Sequence, residues 1–434
     1  MNKLDNAKGT RDFNPEEKIL RGKILNLLKE TCENYGFNPI ETPIIEKYET
    51  LAAKFAAGED SDALTEIFKL SDQGKRKLGL RFDLTVPFSR YIAMNKGLKM
   101  PFKKYITGEV FRDGPIKTGR YRQFTQFDPD IVGCKSMIAD AEILALADSV
   151  FSKLDFKYEI ELNNRKILDG VLFDAKINEK DFFSVTVSID KIKKIGKEGV
   201  LKELKEKGFK NLKNVLDLLS IEKNNSLTLQ KLKKGIKSEI GQEGIKEMEE
   251  IFDYLKSLKV KKIKFDPSLA RGLAYYTGPI FEIFLTDSKI TSSAAGGGRY
   301  DKLIGNYLGT NEIIPATGIS FGIEVLIEAM RQKGKISQKS VTKVFVIPIK
   351  TQNESLKIVR ELRESGINTD VDLLNRGISK NLQFANYYEI PYVLLIGQKE
   401  IKQNKVTLRD MKTGKEELVS IETLLKKLLL FNSK

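Results

Sequence analysis

"EVFRDGPIKTGRYRQFTQFDPDIVG", residues 109–133, holds two runs of strand character about a turn that contains glycine and proline. Arg112, Arg120 and Arg122 bracket the turn, and alternation beyond it sends Phe124, Gln126, Asp128 and Asp130 to one strand face. A hairpin with several guanidinium forks over a polar floor suits a polyphosphate and a small zwitterion, since each fork offers paired donors to an oxyanion. Spacing alone leaves a solvated basic hairpin as an equal alternative.

The stretches on either side extend this pattern. "KLGLRFDLTVP", 77–87, reads as another strand, with Asp83 and Thr85 on one face as a grip for an ammonium group. "SLARGLAYYTGPIFE", 268–282, sets Arg271 ahead of adjacent Tyr275 and Tyr276 on what reads like a strand ending in Glu282. "SAAGGGRYDKLIG", 293–305, puts three glycines in a strand, which permits close approach of a ligand or, more ordinarily, a bulge. Strands joined by such long excursions predict an α+β class, a mixed and mainly antiparallel sheet with helices on one side.

Around that sheet the chain divides. Asn14 as cap, Pro15 in the first turn, Glu16 and Glu17 against the dipole and Gly36 at the end predict a helix over about 15–34. Residues 167–262 are lysine-rich with helical spacing and read as an inserted helical unit. From 343 strands and helices alternate regularly, so 343–434 reads as a separate α/β domain after a body of 1–332.

Composition excludes several chemistries. The 434 residues contain no histidine, which removes Ser–His and Cys–His nucleophile activation and His-ligated zinc. Cys32 and Cys134 have no CxxC spacing, and no metal-ligand set is expected among the side chains. Lys and Arg outnumber Asp and Glu by 74 to 59, a net charge of +15 that suits a protein meeting phosphates. With no apolar core of signal-peptide type and no run of about 18 apolar residues, a cytoplasmic location without a membrane partner is expected.

Together these stretches resemble a known family. "FRDGPIKTGRYRQFTQFDPD" is similar to motif 2 of class II aminoacyl-tRNA synthetases, and "RGLAYYTGPIFE" with "AAGGGRYDKL" resembles the two signatures of histidyl-tRNA synthetases. "GFNPIETPIIE" around Pro43 resembles the motif 1 dimer segment, and "GISKNLQFANYYEIPYVLLIG" the family's anticodon-binding domain. The resemblance implies a homodimer that activates L-histidine with ATP and Mg2+ and loads it on tRNA(His). It implies that Arg112 holds the α-phosphate, Arg120 reaches toward the β- and γ-phosphates, and Phe124 stacks on adenine. Arg271 would act on the same α-phosphate, and Arg112 and Arg271 would also border the histidine. Asp83, Thr85 and Gln126 would hold the α-amino group, Asp130 and Tyr276 the imidazole, and Tyr275 would wall the pocket.

Three positions depart from the family pattern. Val325 stands where motif 3 normally carries an arginine on ATP, Gly114 where bacterial relatives usually carry an adenine-reading glutamate, and Ala274 where an acid is more usual. Arg299 and Arg331 are the candidates to replace the lost cation. The departures keep open a histidine-binding regulatory paralogue of the ATP phosphoribosyltransferase type, or a module that senses uncharged tRNA. Retained Arg112, Arg120, Arg271 and the terminal domain favour the enzyme.

Overall fold

Asn14 accepts the Glu17 amide at 2.9 Å through its side-chain oxygen and so caps helix α1, Pro15–Asn34. At the other end Gly36 adopts φ +75°, which lets its own amide and that of Phe37 reach the carbonyls of Glu33 and Cys32 at 2.9 and 3.0 Å. The computed structural model describes residues 4–52, 65–116, 121–209, 212–271, 275–310, 312–334 and 338–432. Two compact units divide the chain, one of residues 1–12 and 23–333, the other of residues 13–22 and 334–434.

The first unit continues with β1 (Asn38–Pro39), β2 (Ile45–Lys47), α2 (Tyr48–Ala52), β3 (Lys69–Ser71), β4 (Lys77–Leu80), α3 (Thr85–Met94), β5 (Phe102–Phe111) and β6 (Gln123–Val132). Next come α4 (Ile138–Lys153), β7 (Tyr158–Asn164), α5 (Arg165–Asp174), α6 (Phe182–Ile189), α7 (Ile192–Glu206), α8 (Lys213–Leu218), α9 (Asn225–Gly235) and α10 (Glu239–Ser257). It ends with β8 (Ile263–Phe265), β9 (Pro279–Leu285), β10 (Ala295–Arg299), α11 (Leu303–Tyr307), β11 (Ala316–Gly322) and α12 (Ile323–Gln332). The inserted run from α5 to α10 is helical throughout its described residues apart from turns.

Eight strands form one sheet in the order β1-β5-β6-β11-β10-β9-β7-β8. Only its two edge pairs, β1 with β5 and β7 with β8, run parallel. The hairpin β5–β6 is in unbroken register from Phe102 opposite Val132 to Phe111 opposite Gln123. Directly opposed residues share a face, so Lys104, Ile106, Gly108 and Val110 lie beside Asp130, Asp128, Gln126 and Phe124. Helix α4 lies against the other face of β11, with Phe151 and Phe321 rings 6.0 Å apart. Its buried Ala139, Ala141, Ile143, Leu144, Ala145, Leu146, Ala147, Val150 and Phe151 leave little of the helix for water, which explains why it is apolar nearly all round.

Three local expectations are corrected. Asp83 and Thr85 are not on a strand: β4 stops at Leu80, Asp83 accepts the Val86 amide at 2.9 Å, and Thr85 begins α3. A capping aspartate with Pro87 in the first turn outweighs the β-branched run that suggested a strand. Arg271, Tyr275 and Tyr276 precede β9 instead of lying on it. The triple-glycine strand β10 carries no bulge, since its register to β9 and β11 is continuous. Its glycines serve close approach: a Cβ on Gly297 would stand 2.0 Å from the Gly318 carbonyl oxygen, and one on Gly296 1.9 Å from Arg271 Nη1.

The second unit contains β12 (Val344–Pro348), α13 (Gln352–Glu364), β13 (Thr369–Val371), α14 (Ile378–Tyr387), β14 (Tyr392–Ile396), α15 (Gln398–Lys402), β15 (Lys405–Asp410), β16 (Glu416–Ser420) and α16 (Ile421–Asn432). Its sheet order is β13-β12-β14-β15-β16, parallel over the first three strands and antiparallel over the rest. Val344, Val346, Leu394, Ile396, Val359 and Leu362 are buried between sheet and helix.

Candidate active site

A cavity of about 210 Å³ opens over the middle of the large sheet. It is lined by Glu66, Phe82, Asp83, Thr85 and Arg112 from the β4 and β5 side, by Gln126, Asp128 and Asp130 of β6, and by Gly318, Ile319 and Ser320 of β11. Gly296, Gly297 and Gly298 of β10, with Tyr300, Arg271, Tyr275 and Tyr276, complete the wall. Arg112 follows β5 and Arg271 precedes β9, and β6, β11 and β10 separate those strands in the sheet.

The floor is acidic and incompletely satisfied. Asp130 accepts from Tyr300 at 2.6 Å and forms an ion pair with Lys104, whose side chain is fully buried. Lys104 also donates to the Asp128 carbonyl at 2.9 Å and stands 4.2 Å over the Phe88 ring. Burial pushes the Asp128 carboxyl up to about 7, against the pull of Lys104 and with a further push from Asp130. Gln126 Nε2 donates to Ser320 at 2.6 Å, while Gln126 Oε1 and Asp128 Oδ1 are buried with no hydrogen-bond partner among the described residues. Buried acceptors of this kind fit a ligand that brings N–H donors, because leaving them unmet costs about 1–3 kcal/mol each.

The wall combines aromatic rings and cations. The Tyr275 and Tyr276 rings lie 4.5 Å apart with their hydroxyls 3.3 Å from each other, and Tyr300 meets Tyr275 edge-on at 6.3 Å. Burial, then the nearby Asp83 charge, pushes the Tyr275 phenol up to about 12, so it stays protonated at neutral pH. Arg271 donates to the Phe281 carbonyl at 3.1 Å and lies 3.7 Å from Glu282 and 5.6 Å from the Tyr276 ring centre. Arg112 donates to the Phe82 carbonyl at 3.0 Å and rests 5.1 Å over Phe124.

The structure thus brings Asp83, Thr85, Arg112, Gln126, Asp130, Arg271, Tyr275 and Tyr276 to one cavity, with Phe124 beneath Arg112. Arg120 lies outside the described residues. Arg122 turns instead to Asp113, at 2.9 Å. Neither substitute for the cation at Val325 lines the cavity. Arg299 is buried in a pair with Asp140 and bonds the Cys134 and Ser136 carbonyls, and Arg331, in the last turn of α12, pairs with Glu328 at 4.0 Å. Arg112 and Arg271 are the guanidiniums that line the cavity among the described residues. Missed from sequence were Lys104, Tyr300, Ser320 and Glu66. A Cβ on Gly114 would stand 2.3 Å from Glu66 Oε1, so this carboxylate occupies the space beside the residue that departs from the bacterial pattern.

Residues 9–326 match the family described as histidyl-tRNA synthetase, and residues 343–429 match the anticodon binding domain. The chain belongs to the histidyl-tRNA synthetase family. Histidine–tRNA ligase 1 of Bacillus cereus is 42% identical over 426 residues, 98% of this chain and 99% of that protein. The crystal structure of histidyl-tRNA synthetase from Nostoc sp. PCC 7120 superposes with a TM-score of 0.87 at 30% identity, covering 98% of this chain and 99% of that one. An ATP phosphoribosyltransferase regulatory subunit/histidyl-tRNA synthetase from Bacillus halodurans C has a TM-score of 0.77 over 92% of this chain and 99% of its own, but at 22% identity it shares the fold alone. Membership of the histidyl-tRNA synthetase family makes this an aminoacyl-tRNA synthetase, a ligase, with the α+β class II body and the terminal domain expected above.

Proposed function

We propose that this chain activates L-histidine with ATP to histidyl-adenylate and transfers the histidyl group to the 3′ end of tRNA(His). The observation that carries this reading is a single cavity holding buried, unmet acceptors at Gln126 and Asp128, the braced carboxylate of Asp130, and two guanidiniums. A zwitterion with a ring N–H meets all three, its ammonium near Asp83, Thr85 and Gln126, its ring between Asp130 and Tyr276 beside Tyr275, and its carboxylate near Arg112 and Arg271.

In the reaction the histidine carboxylate oxygen attacks the α-phosphorus, the bond to the bridging oxygen breaks, and pyrophosphate leaves. This activation step needs no protein nucleophile and no proton transfer, so a chain without histidine suffices for it. Its work is to align the reactants and to neutralise charge that grows on the α-phosphate oxygens. Arg112 and Arg271 do this, Arg120 steadies the outer phosphates, and Phe124 marks the adenine end. Mg2+ would accompany the nucleotide, held mainly through phosphate oxygens, where it would offset phosphate charge.

The unit around 343–429 holds the tRNA anticodon, and the regulatory and tRNA-sensing readings give way to the synthetase. No helix among the described residues is long and apolar enough to cross a membrane, and we place the protein in the cytoplasm. The Pro43 segment supports a homodimer, since Ile44 and Ile45 beside it are 42% and 51% exposed. Sedimentation equilibrium is expected to return the mass of two chains, and a single-chain mass at micromolar concentration would exclude it. ATP–pyrophosphate exchange tests the function itself. It is expected with histidine and not with the other amino acids, and absence of histidine-dependent exchange refutes the assignment.

A further inference from the structure

Arg271 has a backbone φ of +38°, a conformation that residues other than glycine keep only where their surroundings impose it. The segment before it is held from two sides. From the sheet, Asn163 of β7 donates to the Pro267 and Leu269 carbonyls at 2.9 and 2.8 Å, and Leu162 accepts the Asp266 amide at 2.9 Å. From the inserted helices, Asp190, just beyond α6, accepts the Ala270 amide at 3.4 Å. Lys193, in the first turn of α7, pairs with Asp266 at 2.7 Å and also with Glu161 of β7. Asp266 is fully buried, and its other oxygen takes the Ser268 amide and hydroxyl at 3.0 and 2.6 Å.

We propose that Asp190 and Lys193 are positioning residues for amino-acid activation, through which the inserted helical unit holds residues 266–271 so that Arg271 keeps its place at the reacting phosphate. The inference rests on the role given to Arg271 above. The Arg271 side chain meets groups of the sheet and its own loop, namely the Phe281 carbonyl, Glu282 and Tyr276. Its main chain is fixed by the turn at Asp266, and that turn has a cation from α7 as the counter-charge of its buried carboxylate. Loss of Lys193 leaves Asp266 buried without that partner, and the turn reorganises toward water. Loss of Asp190 releases the amide next to Arg271. A guanidinium displaced by about 1 Å still binds substrates but serves the transition state poorly, an effect that reaches about 10²-fold.

The test measures histidine-dependent ATP–pyrophosphate exchange in the full chain for Lys193→Met, Lys193→Arg, Asp190→Ala, Arg271→Ala and the double variant Lys193→Met/Arg271→Ala. Lys193→Met and Asp190→Ala are expected to lower kcat about tenfold while the KM for histidine stays within about threefold, with Lys193→Arg recovering most of the loss. In the Arg271→Ala background Lys193→Met should add nothing, because a position no longer matters once the side chain is gone. Should Lys193→Met fail to fold, Asp190→Ala carries the test. Either single variant within about twofold of the parent overturns the proposal, as does a further tenfold loss in the Arg271→Ala background, which would mark general damage. Full activity of Arg271→Ala instead overturns the role of Arg271 first, so the two failures are told apart.

Discussion

Arg271→Ala lowers histidine-dependent ATP–pyrophosphate exchange by about 10²–10³-fold, or roughly 2.7–4 kcal/mol, the scale on which a single charge-stabilising donor acts in a transition state. The loss falls mainly on kcat, because charge on the α-phosphate oxygens grows as the bond to pyrophosphate breaks. Two features sharpen the expectation. Val325 offers no cation where the family usually has one, and neither Arg299 nor Arg331 lines the cavity, so the described cavity has Arg112 and Arg271 to share the charge. Stability should change by less than about 1 kcal/mol, since the side chain gives up one hydrogen bond and a 3.7 Å contact to the partly exposed Glu282. Gly296→Ala should act in the same direction, because the added methyl would start 1.9 Å from Nη1 and must move the guanidinium. Exchange within about threefold of the parent in Arg271→Ala would end the catalytic assignment.

Asp130→Asn is expected to reduce kcat/KM for histidine by about 10²–10³-fold and to erode rejection of other amino acids, since polar readout of a ligand N–H is what lets a site refuse analogues. The same change removes the anion paired with the buried Lys104, at a cost of up to about 3–5 kcal/mol in urea-induced unfolding. Lys104→Met combined with Asp130→Asn should recover much of that stability without recovering histidine selection, which separates folding from recognition. Without the push from Asp130, and with Lys104 left to it, the Asp128 carboxyl should titrate below its present value of about 7. The sign follows from linkage. A raised native value means the stability tied to Asp128 is complete below the unfolded value of 3.8 and is lost as pH rises through about 7, so the substitution should flatten that decline. Parental kcat/KM for histidine in Asp130→Asn would sink the assignment.

The hairpin from 109 to 133 was readable because strand alternation acts over neighbouring residues, and Gln126, Asp128 and Asp130 reach the cavity on the face the spacing assigned. The start of α3 misled because Thr85 and Val86 favour strands taken singly, while capping by Asp83 and the placement of Pro87 in a first turn decide for helix. Lys104 in "FKKYITGE" has no local signal of burial, since lysine is ordinarily exposed, and the register that sets it opposite Asp130 buries it. Tyr300 and Glu66 are joined to the site by pairings 170 residues apart in one case and by the fill of a glycine's side-chain space in the other. Pairings at such separation leave no local period to read.

The pocket proposed above to take an imidazole has none of its own, for the chain contains no histidine at all. In a nuclear magnetic resonance spectrum of the complex, every ring-nitrogen or ring-proton signal of imidazole type therefore belongs to the ligand. Asp128, with its carboxyl near 7, and Asp130, held between Lys104 and Tyr300, lie where that ring would sit. Isotope-labelled histidine becomes a reporter without background, whose tautomer and charge can be followed across neutral pH as the floor of the cavity titrates.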